Sequence, residues 1–517
     1  MTGNRAIDRR SFIQAGLAAV PAASMLLKAR GPDSPQRVHR LTITTTGPAR
    51  LEVRGANYET YQPEKALMDR TAVRQLASKD DYYLGHFTST GTAALDLPAG
   101  RYTVVVEKGL EFERLESVVE LESEQTLRLT PKRWVDMASQ GWWSGDMHVH
   151  RPPADAKTLL AAEDLNLAVF FTMWNAQNYW EGKEIPPDPV ERADATHVAT
   201  LMNAEDERGG GAWMMHNLKK PLAMGAAQRW YPQGRVFVDA AKAQGAWFDC
   251  EKPIWWEVPV MAALAHIDSL GVLHNHYNQY GMVANEAWGR PRDQKLFPGN
   301  DGFSNYSLSL YYRYLNLGLR LPASAGSASG VLPSPPGYNR VYAYAPEGFS
   351  MAAFYAAFQA GRSFVTNGPV LEFSVNGKMP GDTIVISSRK PLQVLAKAKA
   401  REPIDRIEIL ANGKLVADSP GAKLEAEINP DEFTWLAARC YLKPGVTIRL
   451  AHSSPTYLTG PGQTWDAHED RAYFVKWIDD LMAETESDPQ RFQNADQKAE
   501  VLRIYNAARA HYSKKAG

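Results

Sequence analysis

The sequence has only two cysteines in 517 residues, Cys250 and Cys440. That excludes a disulfide scaffold and any zinc site built from cysteine. It also lacks a charge excess. Lys and Arg number 57 against 58 Asp and Glu, a formal charge of −1, whereas a nucleic-acid binder needs a clear basic surplus. No apolar run reaches the roughly 18 residues of a membrane span, so none is expected in the mature chain. No internal repeat and no low-complexity tract stands out. What is present is ordinary for a globular protein: 44% hydrophobic and 22% charged residues. At roughly 150 residues per domain the length suggests about three domains. The aromatic load is heavy, with 14 Trp and 22 Tyr.

The amino terminus reads as an address. Arg9 and Arg10 precede Ser11, Phe12 and Ile13, and an Ala-rich, mildly apolar stretch runs from Ala15 to Leu27. This pattern resembles a twin-arginine export signal over residues 1–30, and the stretch is too short to anchor by spanning. The expected partner is the twin-arginine export machinery, and the expected location is the periplasm or the exterior.

The remaining chain divides by pattern. Residues 36–133 alternate like strands, as in Leu41–Thr46 and Tyr102–Glu107, and suggest a β-sandwich. Residues 134–372 alternate short apolar runs with helix-like stretches, which suggests repeated βα units. Residues 373–455 return to strands, with Asn376-Gly377 and Asn412-Gly413 as hairpin signals, and suggest a second β-sandwich. Residues 456–517 suggest helices, with Tyr473, Phe474, Trp477, Ile478 and Leu481 on one face.

Metal-type residues recur at the carboxyl ends of the apolar runs in the middle segment. His148 and His150 lie two apart on an expected strand and so share a face. Two neutral imidazoles on one face make half of a divalent-metal site. Glu205 follows the run Val198–Met202, and His216 ends Trp213–His216. Asp249 and Glu251 form a second same-face pair, and His274 and His276 a third. For Asp249 or Glu251, metal ligation and general-base work are both open. The alternative for the histidines is a hydrogen-bonded core group, and for Glu205 a solvated acidic run. His197, His266, His452 and His468 read better as structural.

At these residues the chain resembles a family. Gly145-Asp-Met-His-Val-His150 is similar to the opening motif of the PHP (polymerase and histidinol phosphatase) metal-dependent hydrolases. Glu205, Gly209–His216, Trp255-Trp-Glu257, Asn275-His276 and Gly361–Pro369 resemble its carbaryl-hydrolase-like (CehA/McbA) branch. The resemblance covers roughly Trp134 to Pro369. It implies an α/β fold, a distorted (β/α)7 barrel, here flanked by the two small β-sandwich modules and the C-terminal helices. It also implies divalent metals, zinc first and manganese or iron as alternatives. The implied reaction is hydrolysis of an ester, amide, carbamate or phosphoester bond. The metal set on this resemblance is His148, His150, Glu205, His216, Glu251 and His276.

One departure is large. Where the family ends its metal set with an Asp-Ala-His segment, this chain reads Ser327-Ala328-Ser329, and a hydroxyl is a poor replacement for carboxylate and imidazole. Likewise Glu251 stands where a histidine is usual. A remodelled site with fewer metals is expected. In it a metal-activated water attacks the substrate, Asp249 relays the proton and Arg313 or Lys252 steadies the oxyanion. Trp142, Trp143, Trp174, Trp255 and Trp256 suit a small-molecule or glycan-like substrate. The rival is a non-catalytic exported protein that binds a glycan or a partner on a degenerate barrel.

Overall fold

The computed structural model describes residues 37–63, 67–68, 86–332, 334–388, 390–430, 433–461 and 463–514. The twin-arginine segment lies outside them. Among the described residues, no helix is long and apolar enough to cross a membrane.

Two sheets close the amino-terminal part on one core. A three-stranded sheet (Thr92–Pro98, Val38–Thr44, Gln125–Arg128) faces a six-stranded one built around Ala49–Arg54 and Gly100–Glu107. Leu41, Ile43, Leu51, Val53 and Val104 are fully buried between them. Their alternation along each strand is the period-2 pattern of a half-buried sheet.

The middle of the chain is not the α/β barrel that the sequence suggested. The structure is mostly β, 36% strand against 21% helix. Among the described residues its strands fall into six sheets, the largest of 12 strands, not a ring of βα units. The physical reason lies in the connections. A parallel βα unit needs a crossover of about a dozen residues or more, usually helical. Between Val198–Thr200, Ala204–Arg208 and Gly211–His216 only a few residues intervene. The last two strands therefore pair antiparallel, Glu205 against Met214, through the Gly209-Gly210 turn. Apolar runs that looked like separate βα units are partly one hairpin. Within this segment parallel pairing survives in the short pair of Met173–Trp174 with Ala204–Arg208 and in two larger sets. Trp142–Val149, Leu167–Phe170 and Val198–Thr200 form one set; Trp247–Cys250, Ser269–Leu273 and Ala323–Ala325 form the other.

The 12-stranded sheet also runs on into the later strands. Ser363–Thr366 pairs with Leu450–Ser453, which pairs with Trp435–Leu442. The tail helices His468–Ser487 and Ala495–Ser513 dock on the middle segment. Phe474, Trp477, Ile478 and Leu481 are all 0% exposed. Trp477 donates its indole N–H to the Trp256 carbonyl at 3.0 Å, and the Tyr512 hydroxyl donates to the Pro259 carbonyl at 2.8 Å.

His197 lies in the loop before Val198–Thr200, not on a helix. Its Nδ1 is 2.9 Å from Asp194 and its Nε2 3.7 Å from Asp164. Burial disfavours its charge, but the hydrogen bonds to Asp164 and Asp194 outweigh this and raise its pKa. A raised pKa in the folded state gives stability that is complete below the unfolded value of about 6.5. That stability is lost as pH rises through the folded value. His197→Gln should therefore lower the urea midpoint at pH 5.5 and leave it nearly unchanged at pH 9. Equal losses at both pH values would contradict this.

Candidate metal centre

Both parallel sets end at the same place, and the polar residues collect there. His148 is the last residue but one of the strand Trp142–Val149, and His150 follows the strand. The period of two puts both imidazoles on one side, with their Nε2 atoms 2.8 Å apart. Glu205, on Ala204–Arg208, brings Oε2 to 2.8 Å from His150 Nε2 and 3.4 Å from His148 Nε2. These three groups form a buried cluster that can hold a metal ion. A tetrahedral ion with bonds of about 2.0–2.1 Å sets its ligand atoms roughly 3.3–3.4 Å apart; one side of this triangle has that length, and the two of 2.8 Å would open by about half an ångström.

Backbone contacts fix the triangle. The His150 amide donates to the Ser329 carbonyl and the Ala328 amide to the His148 carbonyl, both at 2.7 Å. Gly326 passes so near that a Cβ there would come 2.4 Å from the Cβ of His148; only glycine fits. Asp146, fully buried, accepts from the amides of His148 and Ser327 at 3.0 Å and of Gly337 at 2.6 Å. It also accepts from the Ser327 hydroxyl at 2.5 Å. Ser327 thus ties the loop to Asp146.

The electrostatics suit a cation. Burial works against charge on His148, but Glu205 first and then Glu251 push its pKa up to about 9. Burial alone would raise the Glu205 carboxyl, yet His148 and His150 hold it well below the ordinary range. Burial, with the charge on His148, takes His216 down to about 3, so it is a neutral imidazole. Buried polar atoms are nearly always hydrogen-bonded. Here His148 Nδ1 and His216 Nε2 are buried without a hydrogen-bond partner.

The other residues named from sequence stand apart from the triangle. His216 shares the Phe171 ring with His148 and His150, at centroid distances of 5.7, 5.3 and 5.7 Å, and its Nδ1 is 3.5 Å from the Tyr355 hydroxyl. Glu251 approaches the other nitrogen of His148, Nδ1, at 3.6 Å. Both its oxygens are 2.5 Å from Lys252 Nζ. It therefore supports His148 from behind and does not join the three donors. His276 stacks on Phe303 with centroids 5.4 Å apart and meets His274 edge-on at 5.3 Å. Burial holds both imidazoles neutral.

Asp249 is buried and accepts from Ser269 at 2.9 Å and Ser324 at 2.6 Å. Burial raises its pKa to about 7, against the pull of those two hydroxyls. Arg313 has a different job from the one expected. Its Nη1 donates to Asp470 of the tail helix at 2.6 Å, and its guanidinium lies 4.2 Å from the Tyr473 ring centroid. It clamps the tail, because the helix Gly299–Asn316 turns it that way. Sequence reasoning missed Phe171, Tyr355 and Gly326. Of these only Gly326 left a signal, as a glycine beside Ser327.

No protein-family model matches the chain, and no curated protein matches it.

Proposed function

We propose that the chain is a metal-dependent hydrolase acting on an ester, amide, carbamate or phosphoester bond. The observation that carries this reading is the buried triangle of His148, His150 and Glu205. The likeness of Gly145–His150 to the PHP hydrolase motif supports it. When bound there, a divalent ion supplies a water acidic enough to ionise near neutral pH and an electrophile for the scissile group.

The protein's own groups would do the rest. His148, His150 and Glu205 hold the ion, and loading it displaces the proton that His148 otherwise keeps. Glu251, itself held by Lys252, lies 3.6 Å from His148 Nδ1 and supplies negative charge behind that ring. Asp249, with its pKa at about 7, can hold or release a proton at its carboxyl near neutral pH. Phe171 and Trp174, against His150 at 5.7 and 4.6 Å, wall the centre with apolar surface. Export through the twin-arginine route belongs to the same proposal, since that route carries folded, metal-loaded proteins.

The test is a panel of p-nitrophenyl acetate, bis-p-nitrophenyl phosphate and an aryl methylcarbamate. At least one should be hydrolysed by protein purified without chelator. Activity should vanish on chelation and return with zinc or manganese. Full activity after exhaustive chelation would refute the proposal.

A further inference from the structure

A second cavity, of about 590 Å³, opens where the amino-terminal sheets, the Gln279–Tyr280 turn and the loop after Leu442 meet. That is the size of a small-ligand pocket, which runs from about 300 to 1,000 Å³. Six cationic side chains line it against four carboxylates. Arg50 is committed to Glu163 and Glu107, both at 2.9 Å. Arg449 donates to Glu402 at 2.5 Å and to the Asn367 carbonyl at 3.0 Å. Arg401 is less satisfied. It donates to the Phe112 carbonyl at 2.9 Å, and its contact with Glu402 is 4.0 Å long. Burial, with the charges of Arg449 and Arg50, holds it below the usual arginine range despite Glu402 and Glu107.

The lining also holds buried polar atoms with no hydrogen-bond partner. Arg340 Nη1 and Gln279 Nε2 are donors, Glu402 Oε2 is an acceptor, and Thr447 Oγ1 can be either. Arg340 is only 1% exposed and Thr447 7%. Leaving such a group unpaired destabilises the fold. All four belong to residues that line one cavity. An anion alone would satisfy the donors but not Glu402, which needs a hydroxyl to donate to it. Arg114 pairs with Glu116 at 2.9 Å and Lys443 with Asp405 at 2.7 Å, so a neutral polyol would leave Arg401 and Arg340 without a close anionic partner. Tyr280, 46% exposed at the edge, offers an aromatic surface to a sugar ring.

We propose that this cavity binds a polyhydroxylated organic anion, the shared chemistry of sugar acids and sugar phosphates. The anionic group sits between Arg401 and Arg340, and the hydroxyls meet Glu402, Thr447 and Gln279. The ligand would touch all three parts of the chain that line the cavity, so its binding stabilises their packing. This does not depend on the metal centre.

Calorimetric titration of the parent chain with D-glucuronate, D-glucose 6-phosphate and D-glucose tests it. Binding of either anion, at least tenfold tighter than glucose, is expected, and the anion that binds identifies the source. Arg401→Ala should weaken that binding tenfold or more. Arg401→Lys keeps the charge but loses the planar fork and should weaken it several-fold, which decides the matter if the Ala variant does not fold. Failure of both anions to bind, equal binding of glucose, or unchanged affinity in a folded Arg401 variant would overturn the proposal.

Discussion

Changing both His148 and His150 to Ala should take the bound metal from about one ion per chain, the occupancy of a single mononuclear site, to background. Two of the three donors disappear, and a lone buried Glu205 cannot hold a divalent ion against water. Stability provides a second readout. An ion present at a thousand times its Kd stabilises the folded state by about 4 kcal/mol. Chelation should therefore lower the melting temperature of the parent but not of the double variant. The fold itself should persist, since both rings sit at the end of a strand whose core partners are unchanged. A double variant that keeps full metal occupancy would show that the ion sits elsewhere.

The second large effect is expected at Lys252. Its ammonium and the Glu251 carboxylate are each only 3% exposed. Removing one partner of such a pair strands the other charge, at a cost of about 3–5 kcal/mol. Lys252→Met should therefore cost several kcal/mol in urea unfolding. Replacing both partners with uncharged residues of similar volume is often close to neutral, so Glu251→Gln combined with Lys252→Met should recover much of the loss. In the combined variant metal affinity should still fall, by roughly 10–100-fold, because the support behind His148 is gone. A loss under about 1 kcal/mol for Lys252→Met, the value of an exposed pair, would contradict the buried reading.

Parts of the centre could be read from sequence because they rest on local geometry. Two residues apart on a strand means one face, and this alone placed His148 beside His150. Glu205 was also legible as a partner for them, since it comes just after an apolar run; His216, Glu251 and His276, read in the same way, lie outside the triangle. What failed was pairing. Whether Ala204–Arg208 runs parallel or antiparallel to its neighbours depends on the length of the connection, and the Gly209-Gly210 turn outweighs the apolar pattern there. The barrel expectation fell with it. Side-chain direction on helices was equally hidden. Arg313 lies on a long helix, and only packing against Asp470 and Tyr473 decides which way it points. The role of Glu251 needed three dimensions too, because a carboxylate facing Nδ1 rather than Nε2 of the same ring cannot be told apart by spacing. For Ser327, sequence indicated only a lost ligand. The structure gives it a positive task, holding Asp146 under the metal-facing loop.

The most direct test of the metal centre is anomalous X-ray scattering, recorded at the zinc and manganese edges from crystals of protein purified without chelator. One strong peak is expected within about 2.0–2.2 Å of His148 Nε2, His150 Nε2 and a Glu205 carboxylate oxygen. No peak, or one bound by other residues with these three left hydrogen-bonded to one another, would contradict the account.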